Sequence, residues 1–296
     1  HIIGMVLAGV VVGKYGLNIL VRDNSFELFG RVGLYYIMFL AALEMDMESI
    51  RKNRNRLLIF ALLTFTVPLL LTYFNYGITA SLLLGCIMAS NTLVAYPIVS
   101  RYGLQRKPSV TLSVGSSIIS LIFSLIMLAA IVASNKGEGS IGFWLFFVSK
   151  FVIYCAAAIF LLPRLTRWFL RRYSDAVMQF IFVLASLFLC AALSAAIGLE
   201  GIFGAFLAGL ILNRYVPRLS PLMNRIEFIG NAIFIPYFLI GVGMLINLRL
   251  LFQGKGIVWV VLGITLVGTL GKAIAAYLAS WRFKMPAPSG QMMFGL

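Results

Sequence analysis

The sequence predicts an all-α polytopic membrane protein, and three observations carry that assignment. Of its 296 residues 61% are hydrophobic and only 11% charged, with a mean hydropathy of +1.01; soluble domains carry about a quarter charged residues. Apolar runs long enough to cross a bilayer as helices follow one another along the chain. The basic residues gather in alternate loops between those runs, the mark of a multi-pass chain with a cytoplasmic side.

Ten apolar runs are read as spans: 1–20, 28–45, 57–76, 80–100, 109–134, 141–163, 176–198, 201–213, 228–246 and 256–280. An eleventh begins near Gln291. The run at 201–213 is short and is expected to extend into its flanks. The chain enters its first run at His1 without a Met and its last is cut at Leu296, so it reads as a fragment truncated at both ends. No polar stretch is long enough for a soluble domain, and residues 1–296 are expected to form one transmembrane domain.

Loops on one side hold Arg51, Lys52, Arg54 and Arg56; Arg101, Arg106 and Lys107; Arg164, Arg167, Arg171 and Arg172; Arg214, Arg218 and Arg225; and Arg282 and Lys284, 16 residues in all. The other side holds 6: Lys14, Arg22, Arg31, Lys136, Arg249 and Lys255. The first set is therefore assigned to the cytoplasm. The net charge of +15 is explained by these loops, which argues against a nucleic-acid partner. Cys86, Cys155 and Cys190 lie inside apolar runs without close pairing and read as small buried side chains, not disulfides or metal ligands. The single histidine, His1, is given no role.

An internal repeat is visible. Residues 4–15, GMVLAGVVVGKY, match 204–215, GAFLAGLILNRY, at a constant offset of 200, and FLAALEMDM at 39–47 faces IGVGMLINL at 240–248 at an offset of 201. The copies begin at the first and eighth spans, an odd number of crossings apart, so they run in opposite directions through the membrane. Inverted repeats are the architecture of many secondary transporters, whose sites lie near the midplane where the repeats meet. The first repeat is set at about 1–134, linking helices at about 141–198 and the second repeat at about 201–296, incomplete.

Polar residues within the spans mark the candidate site. In ASNTLVAYPIVSRYG of the fourth span, Asn91 and Thr92 are polar at mid-membrane depth and Pro97 cannot donate a helical hydrogen bond. The segment is either a broken helix or a proline-kinked continuous one. The fifth span places Ser113, Ser116, Ser117, Ser120 and Ser124 on one helix face, which should turn away from lipid. Lys272, in VGTLGKAIAAYLAS, is a cation inside the tenth span, either a functional group in need of a partner or a snorkelling one. Glu44 and Asp46 end the second span and are expected at the outer boundary near Arg22 or Arg249. Glu227 is read as an interfacial partner of Arg225, and RLTRWFLRR at 164–172 as a basic amphipathic linker suited to anionic headgroups.

Taken together, IIGMVLAGVVVGKYGLNIL, FLAALEMDM, ASNTLVAYPIVSRYGL, GAFLAGLILNR and PLMNRIEFIGNAIFIPYFLIGVGM resemble the second monovalent cation:proton antiporter family, the group of bacterial Na⁺/H⁺ exchangers and glutathione-gated K⁺ efflux systems. The likeness runs nearly end to end. It implies an inverted-repeat sodium/proton antiporter-like fold of about thirteen spans in the full protein, with a dimerising panel, a core panel, two broken crossing helices and alternating access. It also implies a homodimer in the bacterial inner (plasma) membrane, exchanging Na⁺ or K⁺ for H⁺ without a cofactor or catalytic chemistry. In the family the helix after the first broken one reads V-G-G-T-x-I-[TN]-D, its Asp binds the cation or protons, and a Lys matching Lys272 often pairs with that Asp. Here the run Val114, Gly115, Ser116, Ser117, Ile118, Ile119, Ser120 is followed by Leu121 where the Asp belongs. None of the nine acids falls in the middle of the fourth or fifth span. The expected ion path is Asn91, Thr92, Ser117, Ser120, Leu121 and Lys272, with Pro97 breaking its helix. The three readings of the departure are transport with Lys272 as the proton carrier, a transport-inactive or uncoupled homologue, or a sequence altered at this position.

Overall fold

The regular structure is helical wherever it is described. The computed structural model describes residues 2–45, 47–73, 78–89, 99, 102–104, 107–136, 141–217, 219–247 and 255–295, and no β-strand occurs among them. The helices are α1 (Ile2–Val12), α2 (Asn24–Glu44), α3 (Met47–Lys52), α4 (Arg54–Tyr73), α5 (Ile78–Ala89), α6 (Pro108–Lys136), α7 (Ile141–Arg172), α8 (Ala176–Ala196), α9 (Gly201–Leu212), α10 (Pro221–Ile229), α11 (Ile235–Leu245), α12 (Lys255–Arg282) and α13 (Ala287–Gly295). Six described segments are long and apolar enough to cross a membrane, and the chain is an all-α, multi-pass membrane protein.

Three elements depart from the sequence reading. Helix α9 does not extend into its flanks: Glu200 before it is extended, and Gly198 sits at φ +89°, a left-handed conformation that closes off a longer helix. Helix α7 runs on past the predicted end at 163, carrying Pro163 and the basic segment 164–172 as its own last turns. The ninth span is interrupted by a π-helical turn, Gly230–Phe234, between α10 and α11. Pro236 has no N–H to give to the preceding turn, and widening that turn accommodates the missing bond.

The helices group into two compact units, His1–Glu44 with Ser149–Val258, and Met45–Val148 with Trp259–Leu296. In the first unit, backbones meet at glycines. A Cβ on Gly9 of α1 would strike the carbonyl oxygen of Ile240 in α11, and one on Gly209 of α9 would lie 2.5 Å from the carbonyl oxygen of Phe39 in α2. The two glycines are 200 apart in sequence and the residues they meet 201 apart. Helices α2 and α11 converge where Gly33 faces Phe234 and Phe238, and positions 33 and 234 are again 201 apart. Tyr36, Phe39, Leu43, Leu187, Leu212 and Met223 fill the core between these crossings. Polar ties reinforce it: Tyr36 Oη donates to Ile226 O (2.7 Å), Asn213 Nδ2 to Leu43 O (2.6 Å) and Tyr154 Oη to Cys190 O (2.9 Å).

In the second unit α4 is the common support. It packs α6 through Ala61 and Thr64, while Phe60 joins Ala275, Ala276, Ala279 and Met293 of α12 and α13. Phe65 and Cys86 bring in α5.

Candidate functional site

The serine stripe of α6 is buried throughout, with Ser113, Ser116, Ser117, Ser120 and Ser124 between 0% and 5% exposed. Three of the hydroxyls are satisfied by their own helix: Ser116 Oγ and Ser117 Oγ donate to Ser113 O (2.9 and 2.8 Å), and Ser124 Oγ to Ser120 O (2.9 Å). This is the ordinary resting place of a hydroxyl in an apolar setting. Ser113 and Ser120 reach outward. Ser113 Oγ donates to Met293 O of α13 (3.3 Å).

Ser120 takes part in a polar cluster in this unit's interior. Its Oγ donates to Ala61 O (3.1 Å) and lies 2.8 Å from Thr64 Oγ1, which itself donates to Ala61 O (2.9 Å). Two hydroxyls thus converge on one carbonyl; with one proton each, either both donate to Ala61 O, or one donates to it and the other donates to the first hydroxyl. One turn on, Pro68 sits inside α4 and cannot give an N–H to the carbonyl of Thr64 four residues earlier. Thr72 Oγ1 donates to Pro68 O (3.0 Å). These groups are uncharged oxygens that can coordinate a monovalent cation but do not titrate near neutrality.

Lys272 is half-buried on α12, beside Gly271, whose added Cβ would meet Pro68 Cγ at 3.0 Å. Three residues before that, Gly268 faces Met88 of α5. Among the described residues the Lys272 ammonium makes no hydrogen bond or ion pair, and none joins it to Ser117 or Ser120. Helix α4 connects the two parts: Ala61 and Thr64 hold Ser120, and Pro68 meets the neighbour of Lys272. Leu121, at 7% exposed, is a buried apolar side chain at the position where the family pattern has Asp. Asn91, Thr92 and Pro97, and the choice between a broken and a kinked helix, lie outside the described residues, as does Asp46.

Thr64 and Pro68 were not among the candidates that the sequence yields. Their signal was present: Thr64, Pro68 and Thr72 recur every four residues within an apolar run, the same spacing that marked the serines. A second finding corrects the reading of the acids. Glu44 is not near Arg22, which precedes the opposite end of α2, while Arg249 lies outside the described residues. Glu44 is 3% exposed, and it hydrogen-bonds Glu227, which sequence reading had given to Arg225.

A protein-family model described as sodium/hydrogen exchanger, transmembrane, matches residues 1–296. The chain is 37% identical to a protein of Synechocystis sp. named Na(+)/H(+) antiporter NhaS5, with 100% of this chain and 43% of that protein aligned. A protein of Methanocaldococcus jannaschii named probable Na(+)/H(+) antiporter 3 is 28% identical over 94% of this chain and 73% of its own length. Cation/H(+) antiporter 18 of Arabidopsis thaliana is 24% identical over 97% of this chain and 38% of its own length. The chain thus spans less than half the length of the first and third of these relatives.

Proposed function

The chain belongs to the sodium/hydrogen exchanger transmembrane family, and from that premise we propose that it carries out monovalent cation:proton antiport by alternating access. Na⁺ or K⁺ is the cation, and the site is Asn91, Thr92, Ser117, Ser120 and Lys272, extended by Thr64. The observation that carries this reading is the Ser120–Thr64–Ala61 oxygen cluster, linked through α4 to the helix of Lys272. The site is built to hold one positive charge. In the proposed cycle, a cation on the neutral oxygens and a proton on Lys272 exclude one another by charge repulsion. Mutual exclusion of the two charges is the minimum that exchange requires, and it does not need the family's Asp.

The same proposal extends to the architecture. An inverted repeat is supported by the paired crossings, Gly9 on Ile240 and Gly209 on Phe39, which connect positions matched by the sequence offset. Broken crossing helices, a homodimer and an inner (plasma) membrane location with the 16-residue basic face inward belong to the proposal by family membership.

Proteoliposomes of the full chain, loaded with a pH-sensitive dye, test the reading. Imposing a Na⁺ or K⁺ gradient should move protons in the opposite direction, between about pH 6 and about pH 9. A flat dye signal with both cations would favour the second reading, a transport-inactive or uncoupled homologue, for which the buried Leu121 is the specific observation.

A further inference from the structure

The last turns of α7 carry Arg164, Arg167, Trp168 and Arg171 at helical spacings of three and four, followed by Arg172. These five side chains line a cleft of about 440 Å³. Four guanidinium groups so close along one helix end repel one another, and nothing among the described residues neutralises them. Arg164 donates to Phe160 O (2.9 Å) and Arg167 to Tyr215 Oη (3.2 Å), both uncharged acceptors. The nearest acid in sequence, Asp175, is engaged at the start of α8, its Oδ2 accepting from Met178 N (3.1 Å). Glu27, the partner of Arg31, lies on another helix.

The surroundings of this cleft are apolar on one side. Phe160, Leu161, Leu165 and Trp168 are 46–65% exposed, and they belong to Val148–Arg172, a segment long and apolar enough to span a bilayer. An exposed apolar flank running into a cradle of unpaired guanidiniums matches a ligand with an acyl body and an anionic head. Arginine forks fit phosphate oxygens two at a time, and an exposed tryptophan at this depth suits the headgroup boundary.

We propose that Arg164, Arg167, Trp168, Arg171 and Arg172 form a binding site for the headgroup phosphate of an anionic phospholipid, whose chains lie along Phe160, Leu161 and Leu165. None of its residues belongs to the proposed exchange site, and it does not depend on that reading. Its bound lipid removes the mutual repulsion of the arginines and anchors the end of α7 at the membrane surface.

The test uses the full chain, purified in detergent and delipidated, with phosphatidylglycerol, phosphatidylcholine and inorganic phosphate as probes. Binding is read by native mass spectrometry and by the shift in unfolding temperature. Phosphatidylglycerol should bind in preference to phosphatidylcholine and raise the unfolding temperature, with a loss of about five-fold in affinity for each arginine changed to Gln. The variant carrying Gln at Arg51, Lys52, Arg54 and Arg56 removes the same charge elsewhere and should keep the preference. Equal binding of the two lipids, an equal shift with phosphate alone, or an equal loss in the control variant would each overturn the site. If the arginine variant does not fold, quenching of Trp168 decides the matter. Spin-labelled phosphatidylglycerol should quench wild type more than spin-labelled phosphatidylcholine does, and the excess should vanish in Trp168→Phe; equal quenching by both lipids overturns the proposal.

Discussion

Removing the hydroxyl of Ser120 separates a structural role from a transport role, because the geometry sets different sizes for the two effects. In Ser120→Ala the bonds from Oγ to Ala61 O and to Thr64 Oγ1 are lost, but Thr64 keeps its own bond to Ala61 O at 2.9 Å. No buried donor is stranded, so the stability loss is that of one net hydrogen bond, about 1 kcal/mol. Thr64→Val is the mirror case, since Ser120 retains Ala61 O as its acceptor. A cation held by these oxygens loses a charge-assisted contact worth about 1.5–3 kcal/mol, which is roughly 10- to 150-fold in affinity. The assay is paired: unfolding temperature in detergent, and half-saturating Na⁺ or K⁺ in dye-loaded proteoliposomes. Expected are a small thermal shift and a large rise in the half-saturating concentration, for both single variants. If the cation dependence is unchanged while the thermal shift appears, Ser120 and Thr64 only glue α6 to α4, and the oxygen cluster is not the cation site.

Three further outcomes are expected. Lys272→Gln and Lys272→Arg should both abolish cation-driven proton movement while leaving the protein folded, since arginine keeps the charge but does not release a proton; exchange surviving in Lys272→Arg would remove lysine from the proton path. Leu121→Asp should lower the half-saturating cation concentration, at some loss of thermal stability from placing a carboxyl at a position only 7% exposed, and an unchanged cation dependence would show that this position does not face the cation. Gly9→Val and Gly209→Val should each lower the unfolding temperature, because both insert atoms against a carbonyl of the opposing helix and overpacking costs about 1–3 kcal/mol; a neutral result in either would mean that the helices cross less closely than described.

What the sequence carried, and where it fell short, follows from the range of the forces involved. The serine stripe was legible because burial imposes a period of three to four residues on a single helix, and all five serines are buried. The partner of Ser120 was not legible. It comes from Thr64, 56 residues away, and which helix face meets which is decided by packing, not by local pattern. The short α9 was also missed, since its limit is set by the backbone at Gly198 and Glu200 rather than by where hydrophobicity ends. The crossings at Gly9 and Gly209, by contrast, fall on the Leu-Ala-Gly motifs from which the repeat was read. A glycine needed for backbone approach leaves a mark in sequence that a partner's identity does not.

Glu44 carries the last step. Counting acids by their distance from span ends placed it at a boundary, and found none in the middle of the fourth or fifth span. Depth along a helix is not the same as burial. Glu44 ends α2, yet α10 brings Glu227 onto it and leaves it 3% exposed. The two carboxyl groups lie together inside the folded unit rather than apart in solvent. The absence of an Asp at position 121 therefore removes a titratable group from α6 without removing buried carboxyl chemistry from the protein. Any account of its proton balance has to weigh the Glu44–Glu227 pair alongside Lys272, and measuring exchange in Lys272→Gln distinguishes the two: proton movement that persists there must be carried by a group other than the lysine.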